Sequence, residues 1–111
     1  MTAQKSGAFL TFVIDQLVGI DRIDARSMFG GVGLYAHAVF FGIVHRETLY
    51  FKVDPDTRPA YESAGMRPFK PFANRPTTLQ YYEVPAAVLE TSHELTAWAR
   101  RAIAIAERAG T

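Results

Sequence analysis

Few residues in this 111-residue chain have the type and spacing that chemistry requires. The histidines, His37, His45 and His93, stand apart, and no His-x-x-x-His, Glu-x-x-His or carboxylate pair at metal-ligating spacing accompanies them. They read as surface histidines. The absence of cysteine excludes disulfides and thiolate metal sites and fits a reducing compartment. Ser6, Ser27, Ser63 and Ser92 lack the context of a nucleophile elbow. Asp54 and Asp56 beside Lys52 imitate an acid/base set. However, Asp54-Pro55-Asp56 is first a helix-start signature, with an N-cap oxygen, proline at the first position and an acid in the first turn. The sequence predicts no enzyme, no metal and no cofactor.

Binding chemistry is better represented. From Met66 to Tyr82 the charges are Arg67, Lys70 and Arg75 with no acid among them, interleaved with Phe69, Phe72, Tyr81 and Tyr82. Basic residues beside aromatics suit phosphates and single strands, although a solvated loop over a packed aromatic edge accounts for the same pattern. The chain as a whole carries 12 Lys and Arg against 11 Asp and Glu, a net charge of +1, so no global nucleic-acid footprint exists. Gly30-Gly31-Val32-Gly33 looks like a phosphate-cradling loop. No Lys-Ser/Thr follows it and it falls between strands, so it reads as a turn.

The elements that must position these residues centre on Arg26 to Asp54, where strand formers alternate with glycine breaks in the pattern of a meander. A first strand over Ile23–Phe29 turns at Gly30-Gly31. Even-numbered loops at His37-Ala38 and Arg46-Glu47 then fix the faces by parity. Val44 is expected opposite Leu49, Gly42 opposite Phe51, Phe40 opposite Val53, Tyr35 opposite Phe40 and Gly33 opposite Gly42. Two adjacent glycines would leave a dent in the apolar face, filled by a closely packed helix or by a small ligand. The other face carries Phe41, Ile43 and Tyr50, too apolar for open water. It suggests cover by a loop, a second subunit or another protein.

Around the meander, Phe9, Phe12, Val13 and Leu17 have helical spacing, with Ser6 a candidate N-cap and Gly19 a stop. A short helix is expected near Asp56–Ala64, closed by Gly65. Pro68, Pro71 and Pro76 exclude helix and central strand from Met66 to Pro76. Leu79–Val84 is the last expected strand. Pro85 begins one helical turn, and Thr91 with Glu94 forms a capping box ahead of a helix over Ser92–Ala109. Its stripe is Leu95, Trp98, Ala99, Ala102, Ile105 and Ala106, with Trp98 large enough to fill the dent. The expected architecture is α+β and two-layered: an antiparallel four-strand meander plus a later strand, packed against N- and C-terminal helices in a single domain, 1–111. The first residues form neither a signal peptide nor a membrane span, so the protein is expected in the cytoplasm.

In combination, Arg26-x-Met28-Phe29-Gly30-Gly31-x-Gly33-Leu34-Tyr35, Phe41-Gly42, Leu49-Tyr50-Phe51-Lys52-Val53-Asp54, Arg58-x-x-Tyr61, Gly65-Met66-x-Pro68-Phe69, Tyr81-Tyr82-Glu83-Val84-Pro85 and Trp98 resemble the N-terminal domain of the TfoX/Sxy family of competence regulators. The resemblance implies a bacterial, cytoplasmic protein in transcriptional regulation of DNA-uptake genes, acting with a global activator. Longer family members carry a second, helical domain that this chain lacks, which implies that the partner-binding part stands alone here. The readings that follow are a regulatory module binding another protein or itself through Phe41, Ile43 and Tyr50; a nucleic-acid binder using Arg67, Lys70 and Arg75; and a small-ligand sensor at the Gly33/Gly42 dent.

Overall fold

The computed structural model describes residues 2–28, 30–70 and 80–109, with side chains from residue 7 onward. Phe29, Phe72 and Arg75 lie outside them. The elements in order are α1 (Thr2–Gln16), β1 (Asp24–Met28), β2 (Gly31–Ala36), β3 (Val39–His45), β4 (Thr48–Lys52), α2 (Arg58–Ser63), β5 (Tyr81–Glu83), α3 (Ala86–Leu89) and α4 (Ser92–Ala109). The strands form one antiparallel sheet in sequence order, β1-β2-β3-β4-β5. Helices cover one of its faces.

Both predicted two-residue loops are present. His37 and Ala38 (φ 52° and 67°), and Arg46 and Glu47 (φ 52° and 58°), take the left-handed backbone that a tight hairpin of right-twisted strands demands. Gly30 supplies the same conformation, φ 76°, at the β1–β2 turn. The β3–β4 register is the one parity predicts: Gly42 pairs with Phe51, Ile43 with Tyr50 and Val44 with Leu49.

The β2–β3 register is not. Tyr35 pairs with Phe40 as expected, but a bulge follows and Leu34, not Gly33, lies opposite Gly42. One extra β3 residue, Phe41, is accommodated there, and it turns into the core against Phe51, with ring centroids 5.8 Å apart. Gly42 contributes no side chain to the core, and the inward turn of its neighbour supplies one. Phe40 is left on the outer face.

The expected dent is therefore absent. Gly33 faces outward, where a Cβ would collide with Met28 Sδ and the Phe40 and Tyr35 rings; Gly42 faces inward against Leu34 and Phe51. Among the described residues the two glycines share no dent for a ligand, and Trp98 fills none. It packs edge-on to Tyr61 of α2, at 4.7 Å between ring centroids.

On the core face, α4 packs chiefly on β3 and β4. Leu95, Ala99, Ala102 and Ala106 are buried, and the alanines let the helix approach closely. The helix lacks the expected capping box: Thr91 Oγ1 donates back to Ala87 O, and Ser92 Oγ donates to Gln16 O at 2.6 Å. With Gln16 Nε2 donating to Leu89 O and Arg100 to Gly19 O, these bonds tie the end of α1 to α3 and α4. Ser6 lies inside α1, not ahead of it. Val13 and Leu17 are buried as expected, but Phe12 is 41% exposed, because α1 packs along α4 rather than laying its full stripe on the sheet. The helix expected from Asp56 begins at Arg58, after a turn in which Asp54 Oδ1 accepts from the Asp56 and Thr57 amides.

The two sheet edges differ. Beyond β5, the chain at Arg67–Phe69 adds a short pairing: Glu83 N donates to Arg67 O, Phe69 N donates to Tyr81 O, and Pro68 bridges Tyr82. Among the described residues nothing pairs with the outer side of β1, whose Ala25, Arg26 and Ser27 are exposed.

Candidate interaction surface

Alternation from the observed register places Arg26, Gly33, Ile43, Tyr50 and Glu83 in one row of the outer face. At one end of this face Phe69 folds over from beyond β5. Its ring meets Tyr50 at 4.8 Å and His45 edge-on at 5.6 Å, and only 4% of Phe69 is exposed. The extended pairing at Pro68 dictates this placement: Pro68 shares the side of Tyr82, so Phe69 and Arg67 project to the opposite, outer side. Burial and the nearby Arg46 lower the pKa of His45, while burial, then the Glu83 carboxylate, raises that of Tyr50.

At the other end the face is paved by Tyr35, Phe40 and Tyr81. Ring centroids are 5.2 Å apart for Tyr35 and Phe40, and 5.4 Å for Phe40 and Tyr81. Arg26 lies over the Tyr35 ring at 4.7 Å, and Lys52 over Tyr81 at 5.0 Å, within cation–π range. Burial, with Tyr35 adding to it, pushes the Tyr81 phenol up to about 12, so it stays a neutral hydrogen-bond donor. A cavity of about 330 Å³ opens among Tyr35, Phe40, Lys52 and Tyr81, closed on the helix side by Ala106 and Ala109.

The three residues expected to meet a partner separate. Phe41 is fully buried on the core face, a correction to the parity argument caused by the bulge; Ile43 is buried on the outer face; Tyr50 is half-buried beside Phe69. Arg67 and Lys70 are exposed on either side of Phe69, and Arg75 lies outside the described residues. Sequence reasoning missed the Arg26–Tyr35 and Lys52–Tyr81 pairs. Lys52 and Tyr81 are register partners across β4 and β5, a pairing between distant segments that no hairpin parity reveals.

On the helical side, Tyr82 Oη donates to Glu62 at 2.8 Å, and this bond, aided by burial, raises the Tyr82 pKa. The crevice between α2 and α4, lined by Tyr61, Trp98 and Arg101, has about 10 Å³ of free space, room for about one water. Among the described residues no group of three His, Cys, Asp or Glu could hold a metal ion, and no helix is long and apolar enough to cross a membrane. His37 and His93 are exposed and His45 is half-buried under Phe69.

An antiparallel meander with all its helices on one face defines a two-layer α+β domain. The family model for the TfoX N-terminal domain matches residues 15–106, and the chain belongs to that family. The match takes in the sheet, α2, α3 and most of α4, while nearly all of α1 precedes it. No curated protein matches the sequence.

Proposed function

We propose that the domain is a non-enzymatic regulator that works in the bacterial cytoplasm by binding another protein, in the manner implied for competence and transcription regulators of the TfoX/Sxy kind. The observation that supports this reading is the apolar outer sheet face around Tyr50, where Ile43 is buried and Phe69 lies on Tyr50 and His45, on the side that an antiparallel sheet ordinarily turns to water. Among the described residues Phe69 covers only part of that face. Tyr50, half-buried at the rim of that cover with Ile43 beneath, is the centre of the docking surface, and Phe41 has no part in it. A partner, whether the transcription apparatus, a global activator or a second copy, would extend the cover that Phe69 begins.

The test is co-purification with the transcription apparatus of the source cell, together with light scattering across a range of protein concentrations. Wild type should retain a partner or dimerise, and folded Tyr50→Glu should do neither. Association that survives Tyr50→Glu would remove the outer face from the reading.

A further inference from the structure

The Tyr35–Phe40–Tyr81 end of the outer face differs from the Phe69 end in carrying uncompensated positive charge. Among the described residues neither Arg26 nor Lys52 has a carboxylate partner; the ion pairs there are Arg22–Asp24 and Arg108–Asp54. Of the acids on the outer face, Asp24 is the register partner of Tyr35 and is paired with Arg22 at 3.4 Å, while Glu83 stands beside Tyr50 and opposite Arg67. Arg67 and Lys70, both exposed, continue the positive charge past the β5 edge.

A ligand suited to this end is flat, to stack on rings, and anionic, to meet cations held over those rings. It must also be extended, because the row runs across the sheet from β2 to β5. Duplex DNA supplies the charge but keeps its base faces inside the helix. A single strand supplies all three. The cavity beside the row is at the lower end of the size range for small-ligand sites, about 330 Å³. Its wall at Ala106 and Ala109 is the carbonyl end of α4, which repels phosphate and leaves the recess to a base.

We propose that this end of the outer face binds single-stranded nucleic acid, with a base stacked on Phe40 and flanked by Tyr35 and Tyr81, and phosphates on Arg26 and Lys52 over those two rings. The surface is distinct from the Tyr50 docking centre, so either can hold without the other. Stacking on aromatics is tolerant of sequence, and the site is expected to prefer single strand over duplex without reading bases.

The probe is a short fluorescein-labelled oligothymidylate, followed by anisotropy at low and moderate salt beside a duplex of the same length. The expected result is binding to the single strand, at least about tenfold weaker binding to the duplex, and a steep loss with salt. Phe40→Ala and Tyr81→Ala should each weaken binding about tenfold. Arg26→Gln and Lys52→Gln leave every ring in place and should each lower the salt slope by about one; they carry the test if an aromatic variant does not fold. No binding at low salt overturns the proposal. So does binding that folded Phe40→Ala and Tyr81→Ala leave unchanged, or that Arg26→Gln and Lys52→Gln leave with the same salt slope.

Discussion

The two faces of the sheet are both apolar, yet they are closed by different means. The core face is sealed by a helix whose alanines bring its backbone close to Phe41, Val44 and Phe51, all buried. Among the described residues the outer face is covered by side chains and no helix: Met28, Tyr35 and Phe40 lean over Gly33, and Phe69 lies on Tyr50 and His45. Helix packing excludes water from the first face almost entirely, whereas leaning rings leave Tyr35, Phe40, Tyr50 and Tyr81 half-exposed on the second. Stability should reside mainly on one face and binding on the other.

Adjacent phenylalanines test this contrast most sharply. Phe41→Ala should cost about 3–5 kcal/mol in urea denaturation, the loss typical of a buried ring, and Phe40→Ala clearly less. Equal costs would mean that the bulge does not divide the two rings between faces. Phe69→Ala should cost about 2 kcal/mol and let the Tyr50 pKa fall back toward its ordinary value as water reaches it. Ultraviolet titration reads that change, and an unmoved Tyr50 would place its desolvation elsewhere. Glu47→Gly acts on neither face. It relieves a left-handed φ of 58° and should stabilise by about 1 kcal/mol, measured as a raised urea midpoint.

The smallest effect is on pH. Burial lowers the folded-state pKa of His45 below its unfolded value of 6.5, so the unfolded chain binds the proton first. Its contribution is intact above pH 6.5 and is lost as pH falls through the lowered value. His45→Gln should flatten that part of the stability profile. A profile that His45→Gln leaves unchanged would show that the histidine under Phe69 is as well hydrated folded as unfolded.

The strands, both two-residue hairpins and the Ile43–Tyr50 pairing were legible because parity and turn length propagate along a meander without reference to the rest of the chain. That same logic failed at Phe41, since a bulge costs one residue and leaves no local mark. The empty core position at Gly42 was legible, but not that Phe41 would turn inward beside it. Trp98 was matched to a dent that the bulge abolishes. A loop was among the expected covers of the outer face, but Phe69 was not assigned to it, because its proline-rich surroundings forbid regular structure and the pairing of Arg67–Phe69 with β5 is a contact between distant segments. Thr91 reads as the cap of a capping box with Glu94 until its hydroxyl is seen to donate back to Ala87 O in α3.

The unequal edges of the sheet limit how it can grow. With Arg67–Phe69 along β5 and only β1 open among the described residues, strand addition has a single place to start. A second copy joining there by two-fold symmetry would use up both open edges at once. Growth by this route ends at a pair: the geometry permits one seam and terminates the chain reaction that a fibre requires.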